Sequence, residues 1–327
     1  MKESFVEHLA CPFCEGDLIV AQVHAKRDER IAEGELACTK CKRTFPVHRF
    51  IPRFVPNDNY ASNFGLEWSK HARTQYDSYT GLNISEKRFF EETKWGRDLK
   101  QEVILEVGSG SGRFTEQAAS TGAFVVSMDY SFAVDANYQS NGAKDNVFIV
   151  QGDMFNMPFK KQHFDKLLCI GVIQHTPDPL KAFLALPAYL KKNGKLVVDV
   201  YKRGLDDTLG VKYLLRVVTK KMKPEKLYRF VVAYVDFMWP MATAIRKIPK
   251  IGPSINWALG VADYSRLGLK GELLKEWAYL DTYDMFSPRY DYPQSLSTVK
   301  KWFEEAGLKK IEVHYGYNGI EGRGTTP

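Results

Sequence analysis

The feature that most constrains this chain is an alternation of apolar runs with amphipathic stretches across residues 103–200. Val103-Val107, Ala123-Met128, Val147-Val150, Lys166-Ile170 and Lys195-Val200 read as strands buried on both faces. Between them, Gly112-Ser120, Ser131-Ser140 and Pro179-Leu190 read as helices. Strand and helix in turn predict an α/β fold: a doubly wound, mostly parallel, Rossmann-like sheet. Such a sheet takes its ligand at the carboxyl ends of the strands.

The first strand runs into Glu106-Val107-Gly108-Ser109-Gly110-Ser111-Gly112. Glycines there permit a tight turn and let a ligand approach the backbone where a helix begins. A dinucleotide fingerprint started at Gly108 needs glycine at position 113, which is Arg113, and the Gly-Lys-Ser/Thr of a P-loop is absent. Asp129 closes the second strand, where a carboxylate can accept both hydroxyls of a ribose. Gly152-Asp153-Met154 follows the third strand, and the fourth runs into Cys169-Ile170-Gly171-Val172-Ile173-Gln174-His175-Thr176-Pro177-Asp178-Pro179.

Together these motifs resemble the class I S-adenosylmethionine-dependent methyltransferases, and the last resembles the subgroup containing the quinone-biosynthesis enzymes. The resemblance spans about Leu99 to Tyr201, with Leu296 to Tyr315 as closing helix and strand and a tail too short to promise the usual closing hairpin. It implies S-adenosylmethionine held by Glu106, Gly108, Gly110, Gly112, Asp129, Asp153 and Met154. Plainer roles stay open: Gly110 as a turn glycine, Asp129 as a solvated strand end, Asp153 as a helix cap. Cys169, alone in an apolar run, reads as a small buried hydrophobe.

Ahead of this domain lie two C-x-x-C knuckles, Cys11-Pro12-Phe13-Cys14 and Cys38-Thr39-Lys40-Cys41. Each turn aims two thiolates at one point, and two turns complete a tetrahedral shell suited to Zn2+. With four protein ligands no coordination position stays open, so the zinc is structural, and metal binding supplies folding energy to a unit with little core. Two redox or iron-binding pairs are the alternative. The surrounding Leu9-Ala10-Cys11-Pro12, Phe45-Pro46-Val47 and Ile51-Pro52 resemble the zinc ribbon that serves as partner subunit to certain tRNA and protein methyltransferases. That family has an acid and a glycine before Ile-Pro; here Arg49 and Phe50 stand there.

The implied organisation is a zinc ribbon at 1–56, cap or linker helices at 57–100, a catalytic domain at 101–201 and 276–327, and a basic helical insertion after the fifth strand at 202–275. The net charge of +7 belongs to the insertion: residues 208–261 carry ten basic side chains against Glu225 and Asp236, a balance of +8. The N-terminus lacks signal-peptide features, and Phe230-Ile245, interrupted by Asp236 and Pro240, is too short to span a bilayer. A cytoplasmic protein is expected.

In the cap segment, Arg73 (or Arg113) is a candidate partner for the methionine carboxylate. The insertion reads as a lid packed on the catalytic domain, as a basic surface for a phosphate-bearing or lipid-linked acceptor, or as a patch resting on an anionic membrane. Asn63-Phe64-Gly65-Leu66-Glu67-Trp68 and Leu280 to Asp291 resemble methyltransferases of bacterial surface-polysaccharide and small-metabolite pathways, pointing to a small-molecule or glycan acceptor, methylated on an oxygen of a sugar or related metabolite. A hydroxyl acceptor must lose a proton; His175 is the first candidate base, with Asp284 and Tyr283 behind it. One rival is an RNA methyltransferase docking rRNA or tRNA through the ribbon, against which stand the neutral charge outside the insertion and the lack of an Asn-Pro-Pro-Tyr motif. A non-catalytic cofactor-binding module is the other.

Overall fold

The computed structural model describes residues 1–56, 61–204 and 211–327. Residues 57–60 of the expected cap segment and 205–210 of the expected insertion lie outside the described residues.

The N-terminal unit is a four-stranded antiparallel sheet in the order β1 (Leu18–Arg27), β2 (Arg30–Cys38), β3 (Thr44–His48), β4 (Ile51–Pro52). Asp28 and Glu29 turn the first hairpin with φ of 48° and 60°, the doubly positive pair that a tight two-residue turn requires. The ribbon shares one apolar core with the large sheet. Phe5 lies 5.0 Å from both Phe124 and Phe148, and Arg53 donates to Gln151 Oε1 at 2.8 Å and to Asp135 at 2.7 Å. Phe50, which stands where related ribbons carry glycine, adopts φ 69° and stacks on Tyr138 at 5.2 Å. The departure from the ribbon pattern thus contributes a contact to the neighbouring domain.

Helices α1 (Ser62–Lys70), α2 (Asp77–Thr80) and α3 (Ile84–Thr93) lead to the main sheet. That sheet has seven strands: β5 (Val103–Val107), β6 (Phe124–Asp129), β7 (Val147–Gln151), β8 (Phe164–Ile170), β9 (Leu190–Val200), β10 (Lys309–Tyr315) and β11 (Ile320–Thr325). Their order is β10-β11-β9-β8-β5-β6-β7, with β5 to β9 parallel and β11 antiparallel to both neighbours. Helices α4 (Arg113–Ser120), α5 (Ala133–Asn141), α6 (Pro179–Ala185) and, later, α11 (Leu296–Glu305) pack around it.

Three expectations change here. The closing hairpin is complete, because β11 inserts between β9 and β10. The helix expected over 179–190 stops at Ala185: Pro187 cannot continue it, and β9 already begins at Leu190. The boundary drawn at 275/276 falls inside one helix, α10 (Gly271–Phe286), whose buried side chains pack in the core of the insertion.

Between β9 and α10 the insertion forms α7 (Val211–Thr219), α8 (Pro224–Arg246) and α9 (Gly252–Ala258). Leu227, Val231 and Val235, one turn apart on α8, are fully buried in a core with Ala278, Tyr283 and Phe286 of α10. Among the described residues no helix is long and apolar enough to cross a membrane.

Candidate active site and metal centre

A cavity of about 630 Å³ opens at the carboxyl ends of β5, β6 and β8, beneath a roof of α1, α9 and α10. Its floor is the turn after β5. Gly108 and Gly110 have φ of 81° and 54°; a Cβ on the first would lie 2.3 Å from the Val172 side chain, and one on the second 3.0 Å from Trp68 Nε1. Only glycine fits here, and the bare backbone faces the cavity. Asp129 Oδ2 accepts from the Gly110 amide at 2.9 Å, and Oδ1 from the Ser131 amide at 2.8 Å and hydroxyl at 2.7 Å. Oδ1 is thus filled by two donors, and Oδ2 keeps a lone pair for a ligand hydroxyl. Gly152 and Met154 line the next stretch of wall.

Three residues expected to hold cofactor stand behind that wall. Glu106 is buried under the loop, where it accepts from Thr115 and Ser127, and burial pushes its carboxyl up to about 7. Gly112, with φ 94°, opens α4, and a Cβ there would meet Asn137 Oδ1 at 2.1 Å. Both shape the turn rather than touch the cavity. Asp153 accepts from the Phe155 amide at 2.9 Å within a turn, with no helix after it to cap, while its neighbours Gly152 and Met154 line the ligand space.

Arg73 is exposed, its guanidinium 5.9 Å from the Tyr79 ring, and lies outside the cavity lining. Arg113, at the first turn of α4, lines the cavity instead, as does Arg88, whose guanidinium is held by Glu92 at 2.6 Å and Asp199 at 2.5 Å.

His175 lines the opposite wall, 8% exposed, edge-on to Tyr201 at 5.3 Å. Its Nδ1 lies 3.1 Å from the Tyr290 carbonyl oxygen, so Nδ1 carries the proton and donates it there. Nε2 is then a bare acceptor, and it has no hydrogen-bond partner among the described residues. Asp284 faces the same space and accepts from the Tyr201 hydroxyl at 3.2 Å. Tyr283 does not: the helical turn that points Asp284 inward turns Tyr283 into the insertion core, fully buried against Tyr228. It is withdrawn as a base.

Three further acids line the cavity and were missed as site residues: Glu67, Asp281 and Asp263, the last held by Arg246 at 2.9 Å. Glu67 is 1% exposed with Oε2 unpartnered, and burial, with Asp284 and Asp281 nearby, raises its pKa well above the usual range. Asp281, one helical turn before Asp284, is pushed up to about 7, by burial first and then by Asp284. The i, i+3 spacing of Asp281 and Asp284 was the available signal.

Asp281 ties stability to pH. Its folded pKa of about 7 exceeds the ~3.9 of an unfolded aspartate, so the folded chain holds the proton more tightly. The stabilisation is complete below about pH 4 and is lost as pH rises through about 7. Asp281→Asn should therefore raise the melting temperature relative to wild type more at pH 8 than at pH 5. Equal differences at the two pH values would mean that Asp281 is ionised throughout.

In the ribbon, the sulfurs of Cys11, Cys14, Cys38 and Cys41 all lie within 4.8 Å of one another, with Cys11–Cys41 at 3.6 Å and Cys14–Cys38 at 3.5 Å. A ~2.3 Å Zn–S bond places tetrahedral sulfurs ~3.8 Å apart. The four thiolates fit zinc.

A sheet of this order, a glycine turn after its first strand and an acid closing its second define a Rossmann-like methyltransferase fold. Residues 105–198 match the family model of the methyltransferase domain, and residues 2–49 match that of Trm112p-like proteins. The chain thus joins a Trm112p-like zinc ribbon to a methyltransferase domain. It is 26% identical over 151 residues to the ubiquinone biosynthesis O-methyltransferase of Histophilus somni, covering 42% of this chain and 62% of that protein. It is 29% identical over 116 residues to the demethylmenaquinone methyltransferase of Thermobifida fusca, covering 33% and 49%. The chain therefore spans about half to three-fifths of the length of these curated relatives. Among solved structures, the complex of the Haloferax volcanii Trm112 methyltransferase activator with its candidate methyltransferase aligns over 84% of this chain and 100% of the matched chain, at 12% identity and a TM-score of 0.45.

Proposed function

We propose that this protein transfers a methyl group from S-adenosylmethionine to an oxygen of a small, hydroxyl-rich acceptor, a sugar or a related metabolite. When bound, S-adenosylmethionine supplies a methyl group already activated on a sulfonium, so the protein's main tasks are alignment and exclusion of water. Gly108 and Gly110 give the donor its backbone cradle, Asp129 takes a ribose hydroxyl on Oδ2, Met154 packs beside the base, and Arg113 meets the carboxylate.

The observation that carries the acceptor reading is the buried Nε2 of His175, without a hydrogen-bond partner among the described residues, on a side chain that lines the cavity with Asp284, Tyr201 and Glu67. An acceptor hydroxyl would give its proton to Nε2 as the oxygen attacks, while the Tyr290 carbonyl steadies the imidazolium through Nδ1–H. Carboxylates and a phenol around that point suit the hydroxyls of a polyol. None of the ten basic side chains at 212–250 lines the cavity, so this reading seats no acceptor phosphate on them.

Two measurements test the proposal. Asp129→Ala should weaken S-adenosylhomocysteine binding ten- to a hundredfold by calorimetry, since hydrogen bonds to a charged group are worth roughly 1.5–3 kcal/mol; equal binding would remove the donor assignment. Radiolabelled methyl transfer into fractionated cell extract should place counts in glycan or small-metabolite fractions. Counts in RNA would replace this reading with the RNA-modifying one.

A further inference from the structure

We propose that the outer face of the insertion is a docking surface for an anionic membrane. Among the described residues, seven of the fifteen large hydrophobic side chains that stand exposed lie between 214 and 251. Leu214, Val217 and Val218 of α7 are 68, 64 and 65% exposed, and their i, i+3, i+4 spacing puts them on one stripe. On α8, Phe237 is 83% exposed and Met241 44%, and Ile248 and Ile251 continue past the helix end. Both helices pack against α10, which accounts for their inner stripes and leaves the outer ones without a partner among the described residues. Scattered surface hydrophobics need no explanation, but their concentration on two helices of one segment points to an interaction surface.

The charges around it select the occupant. Three of the ten cations face inward and are paired: Lys212 and Arg216 with Asp291, and Arg246 with Asp263. The other seven are Lys220, Lys221, Lys223, Lys226, Arg229, Lys247 and Lys250. All seven are exposed, and none has an ion pair among the described residues. They fall between the two apolar stripes in sequence and beyond the end of α8. Of the two acids on α8, Asp236 is already held by Lys275 at 2.8 Å and by the Tyr279 hydroxyl at 2.5 Å, and Glu225 stands exposed among the cations without outnumbering them. A second copy of the chain is disfavoured, because it would set seven cations against seven. Nucleic acid would meet aliphatic side chains with no ring to stack on, Phe237 apart. Apolar side chains that enter the acyl boundary beside lysines that meet acidic headgroups match a bilayer surface.

The face also leads to the cavity. Ile248 and Ile251 run directly into α9, whose Pro253 and Trp257 line the roof. Docking would bring the cavity roof close to the lipid headgroups. The proposal does not depend on the identity of the acceptor.

The test is flotation of the full-length protein with vesicles of phosphatidylcholine alone or with phosphatidylglycerol. Binding is expected only with the anionic lipid and should be released by high salt. Leu214→Asp combined with Phe237→Asp should reduce the bound fraction more than about tenfold, and Lys220→Glu with Lys221→Glu should reduce affinity by roughly fivefold or more per cation. Unchanged S-adenosylhomocysteine binding by each variant would establish that it is folded. No binding to anionic vesicles at low salt, or equal binding by wild type and variants, overturns the proposal. So does a dimer in light scattering that Phe237→Asp dissociates, which would assign the face to a second copy.

Discussion

Chelating the metal, or replacing Cys14 and Cys38 by serine, is expected to destabilise the whole protein rather than the ribbon alone. Zinc binding to such four-ligand sites supplies on the order of 10–16 kcal/mol, as much as the entire stability of an ordinary domain at roughly 5–15 kcal/mol. The ribbon without metal has one small antiparallel sheet, and its buried side chains belong to the core it shares with the large sheet. Its apolar side chains also complete the sheet domain: Phe5 covers Phe124 and Phe148, and Leu9 forms a backbone bridge with Phe159. Arg53, 6% exposed, is anchored at both ends by sheet-domain residues. Unfolding the ribbon would bare that apolar surface and leave Gln151 without its guanidinium partner. The expected result is one cooperative melting transition that moves down sharply on chelation, with a dye reporting exposed apolar surface and with loss of S-adenosylhomocysteine binding. A sheet domain that keeps its melting temperature and its ligand after the zinc is removed would show that the two units do not share their stability.

His175→Ala is expected to lower kcat about 10²- to 10⁴-fold, the usual worth of a positioned acid or base, while S-adenosylhomocysteine binding changes less than about twofold. The split matters because His175 also packs against Phe64 and Tyr201, so a purely architectural role is the competing explanation. Loss of packing would loosen the α1 roof and weaken binding along with turnover. Loss of the Nε2 lone pair would leave binding intact and flatten the acid side of the rate profile. His175→Gln should retain the packing and still fail to take the proton. A variant with wild-type kcat would remove His175 from the chemistry and leave Asp284 as the remaining candidate base.

Much of the fold was legible because buried parallel strands are written as nearly continuous apolar runs. Val103–Val107 forms β5 as expected, and the other four core strands differ only at their ends. The closing strand β11 was not legible. Its sequence, Ile-Glu-Gly-Arg-Gly-Thr, has the look of a loop, yet it lies inside the sheet. Its glycines make room for a ring: a Cβ at Gly322 would sit 2.5 Å from Phe303 of α11. A strand whose composition is dictated by a neighbour's side chain carries no periodic signal of its own.

The candidate site divides in the same way. The glycine turn, Asp129, Met154 and the four cysteines could be placed from the sequence, because backbone sterics and coordination geometry restrict those positions to few residue types. Burial direction could not be read. Adjacent residues on one helix turn point about 100° apart, so Tyr283 enters the insertion core while Asp284 enters the cavity, and nothing in the string separates them. Glu67, from α1, and Asp281, from α10, meet only because helices more than two hundred residues apart close over the same turn. The sequence by itself determined the alternating sheet, the glycine turn and the thiolate shell, each a local demand of backbone or metal. Tertiary structure alone decided which acids line the cavity, which histidine nitrogen is tied to the backbone and which cations stay outside, because those facts are set by packing between distant segments.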